Sequence, residues 1–310
     1  MQYALLKMPW IWLFLTLLSV RAYSTDFDTL CNQNPTSCLT LLDEEQSQLA
    51  VGSDAWWQLE TARLTWLFEF HRVDDLYAAL RPWVSNPTVP SAHQPFIAML
   101  HGKWLVIKGR TEEAKTTFNL AFEGYRAAYL KSPTQHTALK VLNLLVALNQ
   151  LEPAEDFVEQ LVEQDYDDPA FYREVYAELG HIAHRTDDHI KHVEYRLASL
   201  NWAKQVDDEQ QIGVALNNYG VALRNSGNYK KAREAFLNGL ERAEIASDTV
   251  RIHLLHLRLA EVAFKEGDLE QTFSWLNKTD INHLPAAEFK RLRSLTDSVR
   301  QAKQNAGTSK

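Results

Sequence analysis

Between Leu216 and Phe236 the chain reads LNNYGVALRNSGNYKKAREAF. Apolar residues recur at the three- and four-residue intervals of one helix face, stop at Ser226-Gly227-Asn228, and resume with the same spacing. The pattern predicts two amphipathic helices joined by a tight turn. This hairpin has relatives at a fixed distance. With Gly227 as the turn anchor, Gly267 lies forty residues later and Asp187 forty earlier. Asn149, Gly109 and His71 continue the series backwards, at intervals of 38, 40, 38, 40 and 40 residues along the chain.

The positions around each anchor repeat as well. Seven residues before it stand Gly102, Gly180, Gly220 and Ala260, with Leu64 and Leu142 as exceptions. Five residues after it stand Ala114, Ala154 and Ala232, and nine after it Phe118 and Phe236. Small side chains there let paired helices approach, and the aromatic ring fills the space beside them.

NYGVALRNSGNYKKAREAF, Asn218 to Phe236, resembles the tetratricopeptide repeat, and GRTEEAKTTFNLA from Gly109 resembles its second half. The resemblance covers residues 57–281 in six units. It departs from the family in a period near 40 rather than 34, as in the extended repeats of that superfamily, and in mostly lacking the proline that ends a unit. It implies an all-α, right-handed α-solenoid of about six helical hairpins, with a concave surface lined by the first helix of each pair. Residues 23–56 are then an N-terminal cap, residues 282–304 (with AAEFKRLRSLTDSVRQAKQ after Pro285) a C-terminal capping helix, and residues 305–310 a loose tail.

Composition narrows the partners. Of 310 residues 45% are hydrophobic and 23% charged, enough apolar material for a large core. The net charge of −8 argues against nucleic acid and against a polybasic membrane-surface role. Residues 1–22 carry an uncharged stretch, Met8 to Val20, and small residues Val20 and Ala22 around Arg21. This reads as a secretory signal peptide cut after Ala22, with Ser24 the second choice of site and a retained anchor the alternative. Cleavage would leave a net charge of about −10. The protein is therefore expected to be secreted across the inner membrane, into the periplasm, without stable membrane insertion. The two cysteines, Cys31 and Cys38, are expected to form a disulfide in that oxidising compartment.

The first-helix positions expected to face the groove are Lys103, then Lys140 and Asn143, then His181, His184 and Arg185, then Asn217, Asn218 and Arg224, then Arg258 with Glu261. In an acidic protein these are mostly donors, suited to a peptide backbone, an acidic side chain or the free C-terminus of a partner. The resemblance implies that Asn218 holds the backbone of a bound peptide; a helix-to-helix hydrogen bond is its alternative role.

HIAHRTDDHIKH, His181 to His192, has metal-ligating residue types, but in the repeat register His189 and His192 point into the hairpin while His181 and His184 face the groove. That divergence argues against one metal site, and the groove pair could instead titrate near neutral pH and tune partner binding. No nucleophile elbow, zincin, phosphate-loop or dinucleotide motif occurs. Asp74-Asp75, Asp167-Asp168 and Asp207-Asp208 fall at helix starts, where carboxylates meet the positive helix end. Asn277-Lys278-Thr279 matches a glycosylation acceptor. Trp56, Trp57, Trp66 and Trp83 are expected in the core.

The expected function is a non-catalytic, cofactor-free scaffold for a protein or peptide segment. The alternatives are an assembly protein that self-associates or packs through its outer surface, and an enzyme built around His181 to His192.

Overall fold

The computed structural model describes residue 31 and residues 35–70, 72–164 and 166–308. The expected signal segment, the anchor His71 and the last two residues lie outside the described residues. Among the described residues, every regular element is helical. The protein forms two compact units, one ending at Trp66 and one beginning at Leu67.

The N-terminal unit contains α1 (Pro35–Ser47) and most of α2 (Asp54–Glu69). Cys31 and Cys38 are joined by a disulfide and fully buried, with 4.7 Å between their Cα atoms. Glu60 is also buried, and its charge is met from two sides: Gln46 donates to it at 2.9 Å, and Arg63 forms a two-pronged pair at 3.0 Å per contact. Trp56 and Trp57 are core residues.

The second unit begins, after the end of α2, with α3 (Val73–Leu80). Five hairpins follow: α4 (Gln94–Ile107) with α5 (Thr111–Lys131), α6 (Gln135–Ala147) with α7 (Leu151–Val162), α8 (Pro169–Arg185) with α9 (His189–Val206), α10 (Glu209–Asn225) with α11 (Tyr229–Ile245), and α12 (Thr249–Lys265) with α13 (Leu269–Lys278). Two short 3-10 turns, Ile281–His283 and Ala286–Glu288, lead to α14 (Phe289–Thr308). The closing helix thus starts later than expected and runs through residues 305–308, which the sequence assigned to a loose tail. Trp83 is only half-buried and lines a cavity with Pro95 and Leu120.

The repeat is written in the backbone. Among the described residues the five anchors Gly109, Asn149, Asp187, Gly227 and Gly267 all adopt left-handed conformations with φ between 59° and 81°. That twist turns the first helix back into the second. Helix starts follow an equally regular schedule. Asp168, Asp188, Asp208, Asn228, Asp248 and Asp268, twenty residues apart, each accept a hydrogen bond from the backbone N–H three residues on. Each such cap is worth about 1 kcal/mol.

Within the hairpins the small positions are close approaches. A Cβ on Gly102 would lie 2.5 Å from the Phe118 ring, and one on Gly220 would lie 2.5 Å from Phe236. In the hairpin of α8 and α9 the aromatic place is taken by Arg196, which packs against Gly180. The second helix of one hairpin packs on the first helix of the next for α5–α6, α9–α10 and α11–α12, so neighbours share one core. The last layer closes with Leu295 and Val299 of α14 against Leu254, Leu257 and Ala260 of α12. No helix among the described residues is long and apolar enough to cross a membrane.

Candidate functional site

Successive first helices are stitched together by side chains one repeat apart. Arg185 on α8 donates to the Val146 carbonyl on α6, Arg173 on α8 donates to Gln211 on α10 at 2.5 Å, and Arg224 on α10 pairs with Glu261 on α12. This row of helices makes one wall. The charge of Glu69 acts on Arg251 of α12, whose guanidinium is held below its usual value by burial first.

At the N-terminal end stand Lys103 and Lys140, both half-buried. The Lys103 ammonium lies 4.6 Å over the Phe68 ring. Among the described residues neither lysine forms an ion pair within 4.0 Å. Burial holds both below the usual lysine range; Glu69 and Glu174 act on each in the opposite direction, and the charge of Lys103 pushes Lys140 down further. Next to them Glu178 is pushed up to about 7, by burial first and by Glu174 second, against the pull of Arg196, Lys103 and Arg185.

The centre of the wall is organised by Arg196. It is buried, and it reaches through its hairpin to donate to the Ala177 carbonyl at 3.0 Å and to Nδ1 of His181 at 3.1 Å. His181 is exposed on the wall, but desolvation by the protein around it, followed by the charges of Arg196 and Arg185, pushes it down to about 3. His181 is therefore neutral, with its proton on Nε2.

At the C-terminal end three guanidiniums share two carboxylates. Arg258 holds Glu288 with a two-pronged pair at 2.6 and 3.0 Å, Arg291 contacts Glu261 at 3.2 Å and Glu288 at 3.1 Å, and Arg224 contacts Glu261. Burial would raise Glu288, but the hydrogen bond and charge of Arg258, with Arg291 and Arg224 behind, hold it below the usual carboxylate range.

Comparison with known proteins agrees with this architecture. Residues 214–245 match the tetratricopeptide repeat family. A Rap protein complexed with Competence and Sporulation Factor superposes at a TM-score of 0.60 with 13% identity, over 91% of this chain and 88% of that one. The fold is a tetratricopeptide-like helical repeat. Two further structures of this kind are a tetratricopeptide repeat protein from Parabacteroides merdae (TM-score 0.51, 11% identity, 89% of this chain and 96% of that one) and aspartyl phosphate phosphatase F from Bacillus subtilis (0.52, 10%, 91% and 84%). No curated protein matches this sequence.

The tetratricopeptide-like wall gathers Lys103, Lys140, Asn143, His181, Arg185 and Asn218 as half-buried or exposed side chains, and it corrects several expectations. Asn217 is buried, and its amide donates to the Asn218 side chain at 3.2 Å, so Asn218 alone presents an amide. One residue along a helix is a 100° rotation, which decides the difference. Arg224 and Arg258 are committed to Glu261 and Glu288 and do not reach outward as donors. Desolvation and the charges of Arg196 and Arg185 hold His181 well below the neutral range in which it was expected to titrate.

The histidine segment also differs from expectation in part. His192 is buried in the hairpin as expected, but His189 is exposed, drawn to Asp187 in the turn at 3.5 Å. The His184 ring lies 5.0 Å from that of His192. Among the described residues no group of three or more histidine, cysteine or acidic side chains is arranged to hold a metal ion.

Five contributing residues escaped the sequence reading. Glu174 and Glu178 share the helix face of His181 and Arg185, at intervals of four, three and four, and were legible from that spacing. Arg196 stands nine residues after its anchor, where two other hairpins place Phe118 and Phe236 and the rest place Val158 and Leu276; a charge in an apolar position is the signal. His253 and His256 repeat the spacing of His181 and His184. His256 donates to the Lys278 carbonyl at 3.0 Å, and His253 accepts from the Asp280 amide at 3.1 Å, which fastens the turn after α13.

Proposed function

We propose that this protein is a non-catalytic binding scaffold that captures an acidic peptide segment of a partner protein along the wall of first helices. One observation carries the reading. Two half-buried ammonium groups, Lys103 and Lys140, lack a carboxylate partner within 4.0 Å among the described residues of a protein whose net charge is −8. Partly desolvated cations that repel one another are relieved by an incoming carboxylate, and the enclosure that weakens them strengthens the new pair. Asn218 would add backbone recognition further along the wall. The similar fold of a Rap protein complexed with Competence and Sporulation Factor supports a binding role.

The test is fluorescence anisotropy with a labelled acidic peptide and its amide counterpart (Glu and Asp replaced by Gln and Asn). Lys103→Ala/Lys140→Ala should weaken the acidic peptide at least tenfold and leave the amide peptide unchanged. Equal weakening of both, or of neither, would remove the reading.

We further propose that the protein is exported to the periplasm, a reading supported by the Met8 to Val20 stretch and the Cys31–Cys38 disulfide. Self-association is a second reading, favoured by apolar side chains exposed on second helices: Leu120 and Leu130 on α5, Ile190 on α9 and Ile245 on α11. Light scattering distinguishes a monomer from a homo-oligomer.

A further inference from the structure

The C-terminal end of the wall contains a cavity of about 600 Å³ between α10, α12, the second 3-10 turn and α14. Its charges do not balance. Arg224, Lys265, Lys290 and Arg291 line it against a single carboxylate, Glu261. Behind it, Arg258 and Glu288 cancel one another, so the three guanidiniums of this end exceed their two carboxylates by one charge. Lys265 and Lys290 add two more; both are exposed, and neither forms an ion pair within 4.0 Å among the described residues. Arg224 is held below its usual value by burial first, with Glu261 opposing and the charges of Arg258 and Arg291 adding to the depression, so the guanidiniums repel one another. The cavity is also amphipathic, because Phe264 and the buried Leu295 supply apolar surface, and Ser294 and Ser298 supply hydroxyl groups.

We propose that this cavity is a second ligand site, distinct from the Lys103–Lys140 patch, which binds an oxyanion carrying an apolar group. The oxyanion sits between Lys265, Lys290 and the outer face of Arg291, and the apolar group rests on Phe264 and Leu295. A phosphate ester and a carboxylate share the chemistry the site selects: several acceptor oxygens for cationic donors and a body that can leave water. The site does not depend on the peptide reading, since none of its lining residues belongs to that patch.

Isothermal titration of the full protein with phenyl phosphate, phenylacetate and sodium chloride at matched ionic strength tests it. Saturable binding of phenyl phosphate or phenylacetate, weakened at least tenfold in Lys265→Ala/Lys290→Ala, is expected; the tighter of the two probes identifies the oxyanion. Because these two lysines hold no ion pair, the variant should melt with the wild type, and Lys290→Glu should abolish binding. The proposal is overturned if neither probe saturates below about 10 mM, within the millimolar range expected of so small a ligand. It is equally overturned if the double variant binds as well as wild type, or if chloride reproduces the heat.

Discussion

Arg196 on α9 donates a hydrogen bond 3.1 Å long to Nδ1 of His181 on α8. An arginine cannot accept, so the acceptor nitrogen carries no proton and the imidazole is neutral. Arg196 packs against Gly180 as Phe118 and Phe236 pack against Gly102 and Gly220, and it carries a polar group from inside the hairpin to the wall.

The first prediction follows from that bond. In a two-dimensional ¹H–¹⁵N spectrum His181 should show the Nε2–H tautomer through pH 5 and titrate near pH 3, far below an ordinary histidine. In Arg196→Phe, which restores the packing seen at Phe118 and Phe236, its midpoint should rise but stay below 6.5, because desolvation remains the larger cause. A wild-type midpoint between 6 and 7 would contradict the neutral assignment.

Glu178 makes a pH prediction of opposite sign. Its folded value, about 7, lies above the unfolded 4.5, so the folded state binds the extra proton between those values. Stability from this group is present below pH 4.5 and is lost as pH rises to 7. His181 and His192, depressed to about 3 and about 4, do the reverse: the unfolded state takes up their protons first, and stability falls as pH drops below 6.5. Glu178→Gln should therefore gain on the order of 1–2 kcal/mol over wild type at pH 8, after discounting for solvent, and nothing at pH 4.5. Urea unfolding at the two pH values checks this, and equal offsets at both would refute it.

The repeat was legible in the sequence because its determinants are local. A left-handed anchor such as Asn149 or Asp187 and a cap such as Asp208 or Asn228 act within four residues, so their spacing survives without any tertiary information. The wall was only partly legible. Periodicity places the base of a side chain, but the far ends of Arg196 and Arg258 are set by partners that periodicity does not reach. Arg196 finds His181 across the hairpin, and Arg258 finds Glu288 in a 3-10 turn beyond the last repeat. The choice between Asn217 and Asn218 required a register correct to one residue.

The pairing of Arg258 with Glu288 yields the last prediction, and it reverses the role that sequence position suggested for this arginine. Both carboxylate oxygens of Glu288 are engaged by a side chain only 6% exposed, at the point where α14 is fastened to α12. Arg258→Ala would leave Glu288 facing Arg291 alone and would cost about 3 kcal/mol, the expected loss when one partner of a buried pair is removed. Solenoids unfold from their ends, so the loss should be local: hydrogen exchange should accelerate first in residues 286–308 and leave α4 to α6 unchanged. Arg258→Lys should fall between, because an ammonium keeps the charge but not the fork. Glu288 is held below its unfolded value of 4.5, so its contribution is present above that pH and lost as pH falls through the folded value. The exchange difference between wild type and Arg258→Ala should accordingly be full at pH 7 and shrink below pH 4.5. Binding of the acidic peptide at the Lys103–Lys140 end should be unaffected, whereas a parallel loss of peptide affinity and α14 protection would return Arg258 to the binding surface.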